Sequence, residues 1–185
     1  MSAYTRGVMA QRPQNKLRVL LDANTLFSGC AWARFPYEVL RHAVVGDYQL
    51  VLSPQIITEA REALQAIAPH EERRLDEILS VSGYESVDTP TQEDIIAHHA
   101  LVPRDPKDVH VALAAIKAKV DVLVSLDKDL TAPGEPVHQY LKVLLPAVFL
   151  REHMGWSSEA LEGIRKRTWA EVKPSAVPPK EPDAN

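Results

Sequence analysis

Four acidic residues, Asp22, Glu59, Asp108 and Asp127, sit where a fold of alternating strands and helices would bring their side chains together. Asp22 ends the apolar run Leu17, Val19, Leu20 and Leu21, the pattern of a fully buried parallel strand. Asp127 closes a second such run, residues 121–125 (DVLVS). In open α/β sheets, ligands collect beyond the carboxyl ends of the strands, so these two acids point at such a crevice. Asp22 taken alone reads equally well as a cap for the helix or turn after it. Glu59 and Asp108 lie on helices that can reach the same edge of the sheet. Clustered carboxylates repel one another, and a fold keeps them together only where a cation neutralises them. Oxygen ligands without His or Cys fit Mg²⁺ or Mn²⁺, and Mg²⁺ held this way works on phosphate esters.

The elements that must position these acids follow from the spacing. Residues 22–25 suit a turn and residues 29–34 a connection, before a helix over 36–45 that Gly46 and Asp47 stop. Residues 49–52 form the next strand, completing a right-handed parallel strand–helix–strand unit. Ser53 and Pro54 start a helix as N-cap and first-turn proline, with Ile56, Ile57, Ala60, Leu64 and Ile67 as its buried stripe. Glu59 falls at the border of that stripe, where a glutamate is ordinarily solvated. Further helices are expected at 70–80 and 91–100, with His98 and His99 as surface residues and an extended stretch at 83–88. Asp105, Pro106 and Asp108 make a capping arrangement for an Ala-rich helix over 109–119. A loop at 131–134, an edge strand at 141–145, a helix from Pro146 to about residue 153 and a helix over 156–172 complete the chain. Residues 1–15 read as a flexible basic leader and 173–185 as a disordered Pro-rich tail, flanking a domain of 16–155.

Composition narrows the class. A chain of 185 residues, 45% hydrophobic and 25% charged, can bury the core of one globular domain. No apolar run approaches a membrane span, no secretory h-region is present, and the single Cys30 fits a reducing cytoplasm. Seven histidines show no zinc-ligand spacing. The net charge of −4 hides a basic start, Arg6, Arg12, Lys16 and Arg18, against a more acidic body. Such a body is no passive phosphate-binding surface, so handling nucleic acid would require cations to offset its carboxylates.

The segments LLDANTLFS, IITEAREAL, DPKDVHVALAA and DVLVSLDKDL, in this order and context, resemble the PIN-domain family, which includes VapC-type toxins of toxin–antitoxin pairs. The resemblance covers about residues 17–154. It implies an α/β fold, a three-layer α/β/α sandwich with a central parallel sheet of four to five strands. It also implies a Mg²⁺- or Mn²⁺-dependent endoribonuclease that hydrolyses RNA with a metal-activated water. Carried over by position, Asp22, Glu59, Asp108 and Asp127 are the catalytic and metal-binding acids, with Asp129 a further metal candidate. Asn24 and Ser125 match the small polar positions beside them. Asp108 is preferred to Asp105 because it opens the Ala-rich helix. Lys107, Lys128 or Arg104 would touch the RNA backbone, or serve only as surface charges. A cognate antitoxin and a homodimer are the further partners implied. Leu126 departs from the small residue common before the last acid. The helix after Trp156 lies outside the common core, and either docks a partner or packs on its own domain. Two other readings stand beside this one: a PIN-fold RNA-binding or scaffold protein without catalysis, and a haloacid-dehalogenase-like phosphatase. The phosphatase lacks support, since Asn24 stands where a second acid is needed and no later GDxxxD follows.

Overall fold

The computed structural model of the protein describes residues 16–172; the expected leader and tail lie outside them. Strands β1 (Arg18–Leu21), β2 (Gln49–Leu52), β3 (Glu85–Ser86), β4 (Val122–Val124) and β5 (Val143–Leu144) form one sheet in the order β3-β2-β1-β4-β5. Every pairing is parallel, with Leu20 opposite Val51 and Leu123, and Leu21 opposite Val124. Val19, Leu20, Leu21, Leu50, Val51, Leu52, Leu123 and Val124 are fully buried. Each such side chain contributes about 1.5–3 kcal/mol relative to exposure. Parallel strands need crossovers, and helices supply them on both faces, giving the three-layer α/β/α sandwich that the resemblance implied.

The helices are α1 (Ala23–Ala31), α2 (Phe35–Val45), α3 (Pro54–Ile67), α4 (Glu72–Val81), α5 (Gln92–Ala97), α6 (Val109–Lys117), α7 (Lys128–Thr131), α8 (Pro146–His153) and α9 (Ser158–Ile164). Helix α3 starts as its sequence dictates, with the Ser53 hydroxyl accepting from the Ile56 amide at 3.3 Å. Helix α2 ends on Gly46 in the left-handed conformation, at φ 95°. None of the helices among the described residues is long and apolar enough to cross a membrane.

Three local expectations are corrected. Residues 22–25 are no free turn and 29–34 no loop throughout: they are capped by Asp22 and run as α1 to Ala31. Gly29 belongs inside that helix because α1 and α2 approach closely there. A Cβ on it would stand 2.4 Å from the Leu40 Cδ1 atom and 2.9 Å from the Pro36 carbonyl oxygen. Ile67 leaves the buried stripe of α3 and is 62% exposed, because Leu64 before it and Ala68 after it take the inward positions at the end of the helix. The helix expected over 156–172 stops at Ile164, and a 3₁₀ turn, Trp169–Glu171, restarts behind a Thr168–Glu171 capping box. The chain between them turns inward, and the Arg167 guanidinium bonds the buried Glu38 carboxylate at 2.6 Å. Trp169 donates to the Ala31 carbonyl at 3.1 Å and lies under the Arg74 guanidinium. The C-terminal segment thus packs on its own domain.

Candidate active site

The order of the sheet sets β1, β2 and β4 side by side, and all three end at the same edge. Asp22, the first residue past β1, is 4% exposed. One of its oxygens accepts the Thr25 amide at 2.7 Å and so caps α1; the other accepts the hydroxyl of Ser125, the first residue past β4. Burial pushes the Asp22 carboxyl above its ordinary value, while the bonds from Ser125 and Thr25 oppose that shift. Capping and site placement are therefore carried by one side chain.

The Ser125 hydroxyl also accepts the Asp127 amide at 2.9 Å, which ties the residues after β4 to the residue after β1. Asp127 in turn caps α7, accepting the Asp129 amide at 2.8 Å. Across from it, a 3₁₀ turn, Pro106–Asp108, precedes α6 and is capped by Asp105, whose carboxylate accepts the Lys107 amide at 2.9 Å. Asp105, Asp108, Asp127 and Asp129 each place one carboxylate oxygen within 4.8 Å of the others. The turn brings both Asp105 and Asp108 to this cluster.

Asp108 carries the strain of this grouping. Burial, a hydrogen bond with the Asp127 carboxyl and the charges of Asp127, Asp105 and Asp22 push its carboxyl up to about 8. Its Oδ2 is buried and has no hydrogen-bond partner. A buried carboxylate oxygen without a donor costs free energy unless something cationic meets it. The donor set is all carboxylate, which suits a hard divalent ion such as Mg²⁺ or Mn²⁺. The cluster could therefore hold a metal.

A cleft of about 480 Å³ opens over this edge, lined by Asp22, Asn24, Gln55, Glu59, Gln92, Asp105, Lys107, Asp108, His110 and Asp127 among others. Asp22 and Glu59 thus share the cleft, though neither belongs to the four-carboxylate group. The Glu59 carboxylate, 39% exposed, accepts from Gln55 at 2.9 Å and meets the ring of His110 at 3.1 Å. Nothing in the spacing singled out His110, which looks like one more buried position of an apolar helix. The usable signal was its polarity, two residues past Asp108 in an otherwise apolar helix. Asn24 is an exposed lining residue of the cleft, and Ser125 is fully buried behind its bonds to Asp22 and Asp127. Lys107 lines the cleft and Lys128 is exposed, whereas Arg104 pairs with Glu135 at 3.3 Å. Leu126, 36% exposed, turns partly to solvent.

Comparison with known proteins agrees with this geometry. A family model described as PIN domain matches residues 18–129, the span that holds all of these acids. Among solved structures, the crystal structure of PAE2754 from Pyrobaculum aerophilum superposes with a TM-score of 0.54 at 17% identity, over 76% of this chain and 97% of that one. At that identity the likeness speaks for the fold alone. No curated protein matches the chain.

Proposed function

Because the chain belongs to the PIN-domain family, a family of nucleases, we propose that it is a Mg²⁺- or Mn²⁺-dependent endoribonuclease. The observation that carries this reading is the grouping of Asp105, Asp108, Asp127 and Asp129, with the partnerless buried oxygen of Asp108, beside Asp22 in an open cleft. Asp105, Asp108, Asp127 and Asp129 would hold the ion, with Asp22 beside them in the cleft as a further acid of the site. When bound, the cation supplies Lewis-acid chemistry: a water made nucleophilic near neutral pH and a counter-charge for the phosphate. The chain's own contribution is orientation. Ser125 and the Thr25 amide fix both oxygens of Asp22, and the Asp129 amide fixes Asp127. Lys107, Asn24, Gln55 and Gln92 present donors along the cleft, where they would meet the ribose–phosphate backbone of an RNA strand.

The test is cleavage of a labelled single-stranded RNA with Mn²⁺, Mg²⁺ or EDTA, beside the Asp22→Asn variant. Asparagine also caps helices well, so the variant should keep its melting temperature while activity falls by about 10²-fold or more. Undiminished metal-dependent cutting by a folded Asp22→Asn protein would reject the assignment. A folded wild type that cuts no RNA and binds no Mn²⁺ would instead favour the non-catalytic RNA-binding reading, whereas Mn²⁺ binding without cutting would point to a nuclease selective for another RNA.

The resemblance to VapC-type toxins extends the proposal to the toxin of a type II pair, acting in the cytoplasm and held inactive by a cognate antitoxin, with a homodimer as its assembly. Induced expression should then arrest growth, and Asp22→Asn should relieve the arrest.

A further inference from the structure

His110 is 3% exposed on α6, two residues past Asp108, in a run of otherwise apolar residues. Its Nε2 stands 3.1 Å from one oxygen of Glu59 and 3.2 Å from the other. A carboxylate only accepts, so the ring hydrogen of this contact sits on Nε2 and the imidazole donates. The opposite ring nitrogen, Nδ1, is buried without a partner. A second donor, Gln55, one turn earlier on α3, reaches Glu59 at 2.9 Å. Glu59 is an exposed-edge glutamate with several staggered conformations open to it. Here donors from two different helices hold it in one.

We infer that His110 is a positioning residue: from the buried face of α6 it locks the Glu59 carboxylate in one orientation, in the cleft shared with the aspartates. The inference rests on the nuclease reading. Glu59 belongs to the helix after β2, whereas Asp105 and Asp108 precede α6, Asp127 follows β4 and Asp22 follows β1, so the cleft gathers acids from separate elements. His110 links two of them, because it stands on the helix that follows the Asp105–Asp108 turn and bonds Glu59 on α3. A histidine serving only to fill the core would not need a ring N–H aimed at this carboxylate.

The experiment pairs two replacements of His110 with one of Glu59. His110→Phe fills the space without the donor, and His110→Gln keeps an N–H near the Nε2 position. Melting curves establish that each is folded. His110→Phe should lower kcat about 10–100-fold, the usual effect of losing a partner that orients a site carboxylate. KM should stay within about twofold, since substrate binding is not what is removed. His110→Gln should recover most of the loss, and in a Glu59→Ala background His110→Phe should cost nothing more. Full kcat in folded His110→Phe, or an equal loss in the Glu59→Ala background, would overturn the inference. A second readout needs no activity: the ring ¹⁵N–¹H resonance of His110 should exchange slowly in wild type and be lost or shifted in Glu59→Ala. An unchanged resonance would equally overturn it. A wild type that cuts no RNA and binds no Mn²⁺ would sink the nuclease reading while this resonance still decided whether His110 holds Glu59.

Discussion

One hydroxyl coordinates the two acids that end the central strands. Ser125 donates to Asp22 and accepts the Asp127 amide at 2.9 Å, and it is wholly buried. Alanine fits the same space, so Ser125→Ala removes these two bonds and little else. The freed Asp127 amide should cost about 1 kcal/mol of stability. Mn²⁺ affinity or turnover should fall about 10–100-fold, because the carboxylates would lose their fixed orientation. Titration calorimetry beside a melting curve measures both, and an unchanged affinity would mean that Asp22 and Asp127 orient themselves. At this scale the sequence was informative where an acid broke an apolar run. Asp22 and Asp127 were visible for that reason, and the capping and site readings proved compatible because a carboxylate has two oxygens. Glu59 was ambiguous because a border position is decided by what faces it, and the facing residue, His110, lies 51 positions away.

Elements were legible where local chemistry decided them. Ser53-Pro54 opened α3 and Gly46 closed α2 as their side chains and backbone freedom require. They were illegible where tertiary contacts overrode local preference. Gly29 reads as a helix breaker, yet it lies within α1 because only a glycine lets that helix touch α2. Residues 165–168 carry a helical pattern, yet leave it for the contact between Arg167 and Glu38. That pair offers a test of what pins the C-terminal segment. Glu38 is 1% exposed, and Arg167 reaches it at 2.6 Å while Arg41 stands at 3.5 Å. Arg167→Met strands a buried carboxylate with only the weaker partner, and should cost about 3 kcal/mol. For a chain of this size that is a melting temperature lower by about 6–12 °C. Replacing Glu38 by Leu in the same protein should restore most of the loss, since a buried apolar pair needs no solvation. Equal stability of wild type and Arg167→Met would show that Trp169 and its neighbours hold the segment without the ion pair.

The molecule as a whole gathers carboxylates at one edge of its sheet, and this should tie its stability to pH and to divalent cations together. Asp108, pushed from 3.8 up to about 8, keeps a proton in the fold that the unfolded chain releases. A group whose folded value is raised favours the fold fully below the unfolded value, and that advantage is lost as pH rises through the window up to about 8. The metal-free protein should therefore melt progressively lower between mildly acid and mildly alkaline buffer. A divalent cation acts in the opposite sense, because it binds the ionised cluster that protons would otherwise occupy. At a hundred times its dissociation constant it adds about 2.7 kcal/mol, and that gain should be largest at the alkaline end and smallest at the acid end. Asp108→Asn separates the share of Asp108 from that of Asp22, whose carboxyl is raised by burial in the same direction. It should flatten the decline in EDTA, leave the metal-free protein more stable above neutral pH, and abolish most of the response to Mn²⁺. Melting curves across the pH range, with EDTA and with Mn²⁺, read all three effects from one set of samples. A Mn²⁺ shift that is the same size at every pH, or that persists undiminished in Asp108→Asn, would mean that the ion binds somewhere other than this edge of the sheet.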